Sequence, residues 1–159
     1  MLTLPPQYCP GQSHRTLSTN DSRTVIHDYT LEPIGYIRSS LRSLDGAPKQ
    51  GDEGAPDAWL DVKPSFASAL KGIAAGDELM LITWLHRADR NALEVHPRDD
   101  PTRPLTGVFA TRSPDRPNPL GLHRVTVREI SATGMRIGPI EAIDGTPVVD
   151  IKPVLGSER

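Results

Sequence analysis

Cysteine is almost absent from this chain of 159 residues, which contains only Cys9. A single cysteine forms no internal disulfide and no metal cluster, so nothing indicates an oxidising compartment. The N-terminus lacks the basic start and apolar stretch of a signal peptide, and no window approaches the roughly 18 apolar residues of a membrane span. We therefore expect a soluble, cytoplasmic protein without a membrane partner.

Several signatures of common enzyme sites are also missing. Aromatic residues make up only 4% of the chain, which argues against a platform of rings for stacking bases. No G-x-G-x-x-G follows a predicted strand, so a dinucleotide site of the doubly wound type has no support. No Cys/His or Ser/His/Asp set indicates covalent catalysis. His86, His96, Asp99 and Asp100 lack the short spacing of zinc ligands, and we expect no metal.

Sixteen prolines and thirteen glycines favour short elements joined by tight turns. Alternating and apolar runs predict strands at 24–31, 33–39, 58–62, 77–86, 92–96, 105–112, 122–130, 134–140 and 148–154. Apolar residues at helical spacing between Pro64 and Gly76 predict one substantial helix. The pattern is typical of a mainly β protein, a small antiparallel barrel with Pro/Gly-rich loops. We expect an N-terminal arm at 1–23 and a single domain at 24–159.

Asp150 lies inside an apolar strand, so its carboxylate needs a partner or an edge position. Lys152 is two positions away and therefore on the same face of the strand. Lys152 is therefore a candidate partner for Asp150, and an edge position is the alternative.

Charge is unevenly distributed, although the formal net charge is only −2. Between Arg87 and Arg128 there are eight arginines and five acids, a local surplus of three positive charges. Arginine suits phosphate and carboxylate because its planar fork donates two parallel hydrogen bonds. From the count alone, both a solvated charged face and a surface for an RNA backbone stay open.

The stretch GVFATRSPDRPNPLGL, residues 107–122, holds three prolines and two arginines. Each proline removes a backbone donor and biases the preceding residue towards extended conformations, so this segment is predicted to be a rigid loop. A restricted backbone loses less entropy when its side chains engage a ligand. Arg112, Arg116 and Asn118 are thus polar groups on a stiff arm; the alternative is a solvated surface turn.

The runs TRSPDRPNPLGL and DGTPVVDIKP, with IGYIRSS before them, resemble the TsaA (YaeB, TrmO) family of S-adenosylmethionine-dependent methyltransferases. Characterised members of that family methylate N6 of threonylcarbamoyladenosine beside the anticodon of threonine tRNA. The resemblance implies a largely antiparallel β-barrel, S-adenosylmethionine as cofactor, tRNA as partner and a homodimer. Two alternatives stay open: a regulatory module that binds S-adenosylmethionine without acting on tRNA, and a methyltransferase of a small metabolite.

The resemblance also implies a set of site residues. A proline-basic-glutamine motif falls on 48–50, a cofactor contact falls on His86, and an acidic position before the DGTP turn falls on Glu141. The expected cofactor-binding residues are Pro48, Lys49, Gln50, His86, Arg87, Arg112, Leu122, Pro139, Ile140 and Glu141. Arg112 and Gln50 suit the methionine carboxylate, and Leu122 and Ile140 suit apolar walls. Arg116 and Asn118 are the catalytic candidates, on the substrate side or as residues that shape the loop.

Overall fold

The computed structural model describes residues 30–156. The chain divides into two compact units, Met1–Thr30 and Leu31–Arg159, and the fold below is that of the second. The arm predicted at 1–23 and most of the strand predicted at 24–31 lie outside the described residues. The strands are β1 (Gly35–Arg38), β2 (Ala58–Val62), β3 (Glu78–Trp84), β4 (Glu94–Val95), β5 (Thr106–Gly107), β6 (Leu120–Ser131), β7 (Gly134–Gly138) and β8 (Pro147–Pro153).

Six of these strands form a closed antiparallel barrel in the order β1-β2-β7-β6-β3-β8. Strands β4 and β5 form a separate two-stranded sheet. Closure removes the unpaired edges that an open sheet would present. The predicted mainly β fold, a small antiparallel barrel, is confirmed.

Side-chain alternation places the core inside the barrel. In β3, Leu79 and Leu81 point inward and are almost completely buried, as are Val125 and Val127 in β6. The two strands pair residue by residue, with Leu79 opposite Val125. Successive side chains of a strand point to opposite faces, so the period of two read in the sequence becomes one dry and one wet face. Asp150 and Lys152 follow the same rule, and Nζ of this candidate partner lies 2.9 Å from Oδ2 of Asp150.

The predicted helix is a seven-residue 3₁₀ helix, Pro64–Leu70. Its hydrogen bonds span three residues, as from the amide of Phe66 to the carbonyl of Lys63 at 2.9 Å. Gly72 and Gly76, both with positive φ, then carry the chain into β3. Three shorter 3₁₀ turns occupy Gly51–Glu53, Pro97–Asp99 and Val108–Ala110.

The strand predicted at 105–112 is wrong. Only Thr106–Gly107 is extended, and Val108–Ala110 forms a 3₁₀ turn. The apolar run does not alternate between two faces, because Val108 is buried whereas both Phe109 and Ala110 are exposed. The 3₁₀ turn buries Val108, one of the apolar residues on which the strand prediction was based.

A candidate adenosyl-ligand site at the loop end of the barrel

Antiparallel topology brings three connections to one end of the barrel, here called the loop end. They are the β1–β2 connection (residues 39–57), the β3–β6 connection (85–119) and the β7–β8 connection (139–146). All the predicted site residues except Leu122 belong to these three segments. Segments that are distant in sequence therefore share one end of the molecule.

The first and second connections are joined by ion pairs. Lys49 Nζ lies 2.7 Å from Asp99 Oδ2 and also donates to the backbone carbonyl of Arg98. Arg98 Nη2 donates to Glu53 Oε1 at 2.6 Å. That hydrogen bond is the main reason why the pKa of Glu53 lies below its ordinary value. The predicted cofactor residue Lys49 thus holds two connections together in this structure.

Arg98 and Asp99 have left-handed backbones, with φ of 61° and 56°. Residues other than glycine pay for this conformation. Here both residues take part in the contacts with Lys49 and Glu53, which accompany the sharp turn at Pro97–Asp99. The turn thereby aims Arg98 and Asp99 at the first connection.

The first and third connections are in direct contact. The amide of Ile140 donates to the carbonyl of Pro56 at 3.0 Å. A Cβ atom at Gly51 would lie 3.1 Å from the carbonyl oxygen of Pro139 and 3.4 Å from Oε2 of Glu141. The backbone of Gly51, the residue after Gln50, therefore lies close to the Glu141 carboxylate, and Gly51 has no side chain to cover Oε2.

Glu141 is held from the barrel side by a histidine that the sequence reasoning missed. His123 is 5% exposed, and its Nδ1 lies 2.8 Å from Glu141 Oε1. Its Nε2 lies 2.8 Å from Oγ1 of the fully buried Thr83. The only available signal was a polar residue at an inward position of β6, in step with Val125 and Val127.

Glu141 keeps one carboxylate oxygen for other partners. Its side chain is 21% exposed, and among residues 30–156 Oε2 accepts no hydrogen bond. A partly exposed carboxylate oxygen is a strong acceptor for hydroxyl or amine donors. The loop end can therefore take a ligand that carries such donors.

Arg112 and Asn118 are exposed, and their side chains make no hydrogen bond or ion pair within the described part of the chain. Arg116 differs. Its guanidinium donates to the carbonyls of Ser113 at 2.8 Å, Val108 at 2.9 Å and Thr111 at 2.6 Å. Of the two roles open to Arg116, the structure favours shaping the loop.

His86 and Arg87 lie just beyond β3, which ends at Trp84 and not at His86 as the sequence predicted. Both are exposed, although partial desolvation, followed by the charge of Arg87, lowers the pKa of His86. The imidazole is therefore mainly neutral at neutral pH.

The two predicted apolar walls do not come together. Ile140 is completely buried in the barrel core, whereas Leu122 is 53% exposed on the outer face of β6. Leu122 falls on the opposite face from His123 because neighbouring side chains of a strand alternate. In this structure the two residues cannot line one side of a pocket within the subunit.

A cavity of about 570 Å³ lies at the opposite end of the barrel, under the 3₁₀ helix. It is lined by apolar residues such as Phe66, Leu70 and Ile151, with Asp77 at its edge. None of the predicted site residues lines it. We place the site at the loop end, where the polar groups converge.

Among the described residues no group of three or more His, Cys, Asp or Glu side chains is arranged to hold a metal ion. Within the same part of the chain, no helix has the length and apolar character needed to cross a membrane.

Comparison with known families agrees with this geometry. The model of the tRNA-methyltransferase O N-terminal domain matches residues 36–157. The chain belongs to this family. The match confirms the resemblance carried by the TRSPDRPNPLGL and DGTPVVDIKP runs.

Similar proteins include a probable S-adenosyl-L-methionine-binding protein from Methanothermobacter thermautotrophicus. It is 37% identical over 123 residues, which cover 77% of this chain and 88% of the relative. The probable S-adenosyl-L-methionine-binding protein VirR from Rhizobium radiobacter is 36% identical, over 86% of this chain and 79% of the relative.

The fold is also that of a solved member. The crystal structure of TrmO from Pseudomonas aeruginosa superposes with a TM-score of 0.67 at 30% sequence identity. The match covers 85% of this chain but only 58% of the solved one, so the chain spans less than two thirds of that relative's length.

Proposed function

We propose that this chain is an S-adenosylmethionine-dependent methyltransferase that acts on N6 of threonylcarbamoyladenosine beside the anticodon of threonine tRNA. The observation that carries the proposal is Oε2 of Glu141, which accepts no hydrogen bond among residues 30–156 and faces Gly51 at the loop end. Membership of the tRNA-methyltransferase O family supports the reaction class. Relatives named as S-adenosyl-L-methionine-binding proteins support the cofactor.

The donor and acceptor groups at the loop end fit an adenosyl cofactor. Oε2 of Glu141 suits the ribose hydroxyls, which need an acceptor. Arg112, an exposed guanidinium with no partner among residues 30–156, suits the methionine carboxylate, as does the amide of Gln50. The remaining predicted contacts, Pro48, Lys49, His86, Arg87 and Pro139, belong to the same three connections.

S-Adenosylmethionine supplies a methyl group already activated on its sulfonium. The protein therefore needs no nucleophilic side chain and contributes chiefly by holding two ligands in line. Arg116 serves this purpose by fixing the loop from Val108 to Ser113 with three hydrogen bonds. Asn118, exposed on the same loop, is the group we assign to the acceptor side.

Charge at the loop end supports tRNA as the partner. The β3–β6 connection carries the exposed Arg87 and Arg112 together with Arg90, whose guanidinium lies 5.3 Å from the ring centre of Trp84. Exposed arginines on a connection that also carries the proposed site residues suit the phosphates of an RNA backbone. We place the reaction in the cytoplasm, where its tRNA substrate is found.

A regulatory module is the second candidate, because two relatives bear names that state only S-adenosylmethionine binding. In this version the chain binds the cofactor and transfers no methyl group to tRNA. A third version keeps the methyl transfer but gives it a small metabolite as acceptor.

Two experiments separate these functions. Isothermal titration calorimetry with S-adenosylmethionine tests the site itself, and absence of binding contradicts all three versions. Incubation with bulk tRNA and labelled cofactor, followed by nucleoside mass spectrometry, tests the acceptor. We expect methylated threonylcarbamoyladenosine; cofactor binding with an inert tRNA pool contradicts the tRNA assignment.

Arg103→Ala, which changes an exposed arginine paired with Asp100 in the same connection, is the matched control for variants of Arg112.

We also propose a homodimer. The outer face of β3 and β6 carries an apolar group in which Ile82 is opposite Leu122 and Trp84 is opposite Leu120. Leu120 and Leu122 are 41% and 53% exposed, and a second copy would cover them. Light scattering after size-exclusion chromatography should give twice the chain mass, and Leu122→Glu should give the monomer. A monomeric wild type contradicts this proposal.

A further inference from the structure

Thr83, His123 and Glu141 form a hydrogen-bonded series that runs from the barrel interior to the loop end. Both ring nitrogens of His123 have a partner at 2.8 Å, one from the neighbouring strand and one from the β7–β8 connection. His123 and Thr83 are 5% and 0% exposed, so neither is free to reorient towards solvent. A buried polar network of this kind holds its members in one geometry.

The chemistry of the partners decides where the protons lie in the neutral ring. A carboxylate only accepts, so Nδ1 carries the hydrogen that is donated to Glu141 Oε1. Nε2 is then an acceptor, and the hydroxyl of Thr83 donates to it. The carboxylate of Glu141 therefore selects this tautomer, and the hydroxyl of Thr83, which can donate or accept, holds the ring in place by donating to Nε2.

Gly121 gives the imidazole its place. A Cβ atom at this position would lie 2.6 Å from Nε2 of His123 and 2.5 Å from Oγ1 of Thr83. Real side chains essentially never approach so closely, so the backbone of β6 passes the pair only because residue 121 has no side chain. Glycine at position 121 thus provides the space that the hydrogen-bonded Thr83 and His123 side chains occupy.

We infer that His123 is a positioning residue: it holds Oε1 of Glu141 so that Oε2 is presented to the ribose hydroxyls of an adenosyl ligand beside Gly51. The inference rests on the proposed function and adds a residue to it. His123 is too buried to contact the ligand itself, so it acts through Glu141. Without the imidazole, the flexible carboxylate would have to be ordered by the ligand, at a cost in affinity.

The test uses the full chain and S-adenosylhomocysteine as the probe in isothermal titration calorimetry. His123→Leu removes both hydrogen bonds, and we expect about tenfold weaker binding, the effect of losing one hydrogen bond to a charged group. His123→Asn can still donate an amide hydrogen to Glu141, so it should keep most of the affinity. Thr83→Val should weaken binding, and Thr83→Ser should restore it. Thermal unfolding of each variant shows which ones are folded, and Thr83→Val and Thr83→Ser keep the test valid if His123→Leu does not fold.

A second probe distinguishes positioning from general damage. The 2′-deoxyribose analogue of S-adenosylhomocysteine lacks one hydroxyl, so the wild type should bind it more weakly. In His123→Leu and Thr83→Val this preference for ribose should shrink, whereas a merely structural defect would weaken both ligands by the same factor. Retention of the full preference in folded variants overturns the role of His123 and leaves the proposed function intact. Absence of S-adenosylhomocysteine binding by the wild type overturns both.

The tautomer provides a readout that needs no ligand. Nitrogen-15 spectra of histidine-labelled protein should show a ring with protonated Nδ1 and unprotonated Nε2, assigned by its disappearance in His123→Asn. A ring protonated only on Nε2 in the wild type would overturn the inference.

Discussion

Arg98 Nη2 donates a 2.6 Å hydrogen bond to Oε1 of Glu53 and so links the β3–β6 connection to the β1–β2 connection. The link lowers the pKa of Glu53. A carboxyl with a lowered pKa in the folded state stabilises that state above its ordinary pKa, and the contribution is lost as the pH falls through the lowered value. Acidification should therefore loosen the contact between the two connections.

Arg98→Ala should raise the pKa of Glu53 towards its ordinary value, because the hydrogen bond and the nearby positive charge are both removed. Carbon-detected NMR titration of the side-chain carboxyls measures this. Asp61, whose pKa is lowered by Arg38 on the neighbouring strand, serves as the internal control and should not move. Arg38→Ala should raise the pKa of Asp61 and leave that of Glu53 unchanged. Equal pKa shifts of both carboxyls in either variant would contradict a local cause.

Glu141→Gln should weaken S-adenosylmethionine binding by roughly tenfold while leaving the fold intact. The amide oxygen can still accept from His123, but the site loses its negative charge and one of its two acceptors. Calorimetry measures the affinity. Glu129→Gln is the control, because Glu129 is exposed on β6 and pairs with Arg136. Equal affinity of Glu141→Gln and wild type would remove Glu141 from the site.

Arg112→Ala should reduce cofactor affinity or turnover without a change in unfolding free energy beyond about 0.5 kcal/mol, since the side chain is exposed and unpaired within residues 30–156. Binding and methyl transfer are measured beside Arg103→Ala, which should behave like the wild type. If both arginine variants lose the same activity, the effect is one of overall charge and not of a specific contact.

Arg116→Lys should lower the free energy of unfolding by about 1–3 kcal/mol, because an ammonium group cannot replace the three hydrogen bonds of the guanidinium fork. Urea denaturation gives this value, and hydrogen exchange should speed up around Val108 and Thr111. The control substitution Arg112→Lys should change neither the free energy of unfolding nor the rate of hydrogen exchange.

Gly121→Ala should destabilise the barrel by about 1–3 kcal/mol, because the new methyl group overlaps Thr83 and His123. Gly107→Ala is the control: its φ of −57° suits any residue, and no atom lies within 4 Å of the added methyl group. Thermal unfolding compares the two. Equal stability of both variants would show that β6 can shift away from the pair.

Much of the barrel follows from local sequence. The predicted strand 58–62 matches β2, and the alternation at 122–130 lies within β6. The period of two is a property of an extended backbone, so neighbouring residues are enough to reveal it. The short apolar run at 105–112 misled because its burial comes from a turn, with Val108 inside and Phe109 outside.

The site is a different matter. The family resemblance and the proline-rich loop identified Arg112 and Glu141 as candidates from sequence alone. The role of Arg116 in holding the loop became visible only when its carbonyl partners were known. The ion pair between Lys49 in the β1–β2 connection and Asp99 in the β3–β6 connection likewise became visible only in the structure.

Sequence by itself determined most of the barrel strands and the family, and it offered Lys152 as a candidate partner for Asp150, since each of these depends on residues close together in the chain. Only the tertiary structure decided that His123 holds Glu141. Its two partners are 40 and 18 residues away, and no local pattern encodes a contact at that distance. Closure of the barrel sets strand β6 beside β3 and brings the β7–β8 connection over its end, and this geometry creates the hydrogen bonds.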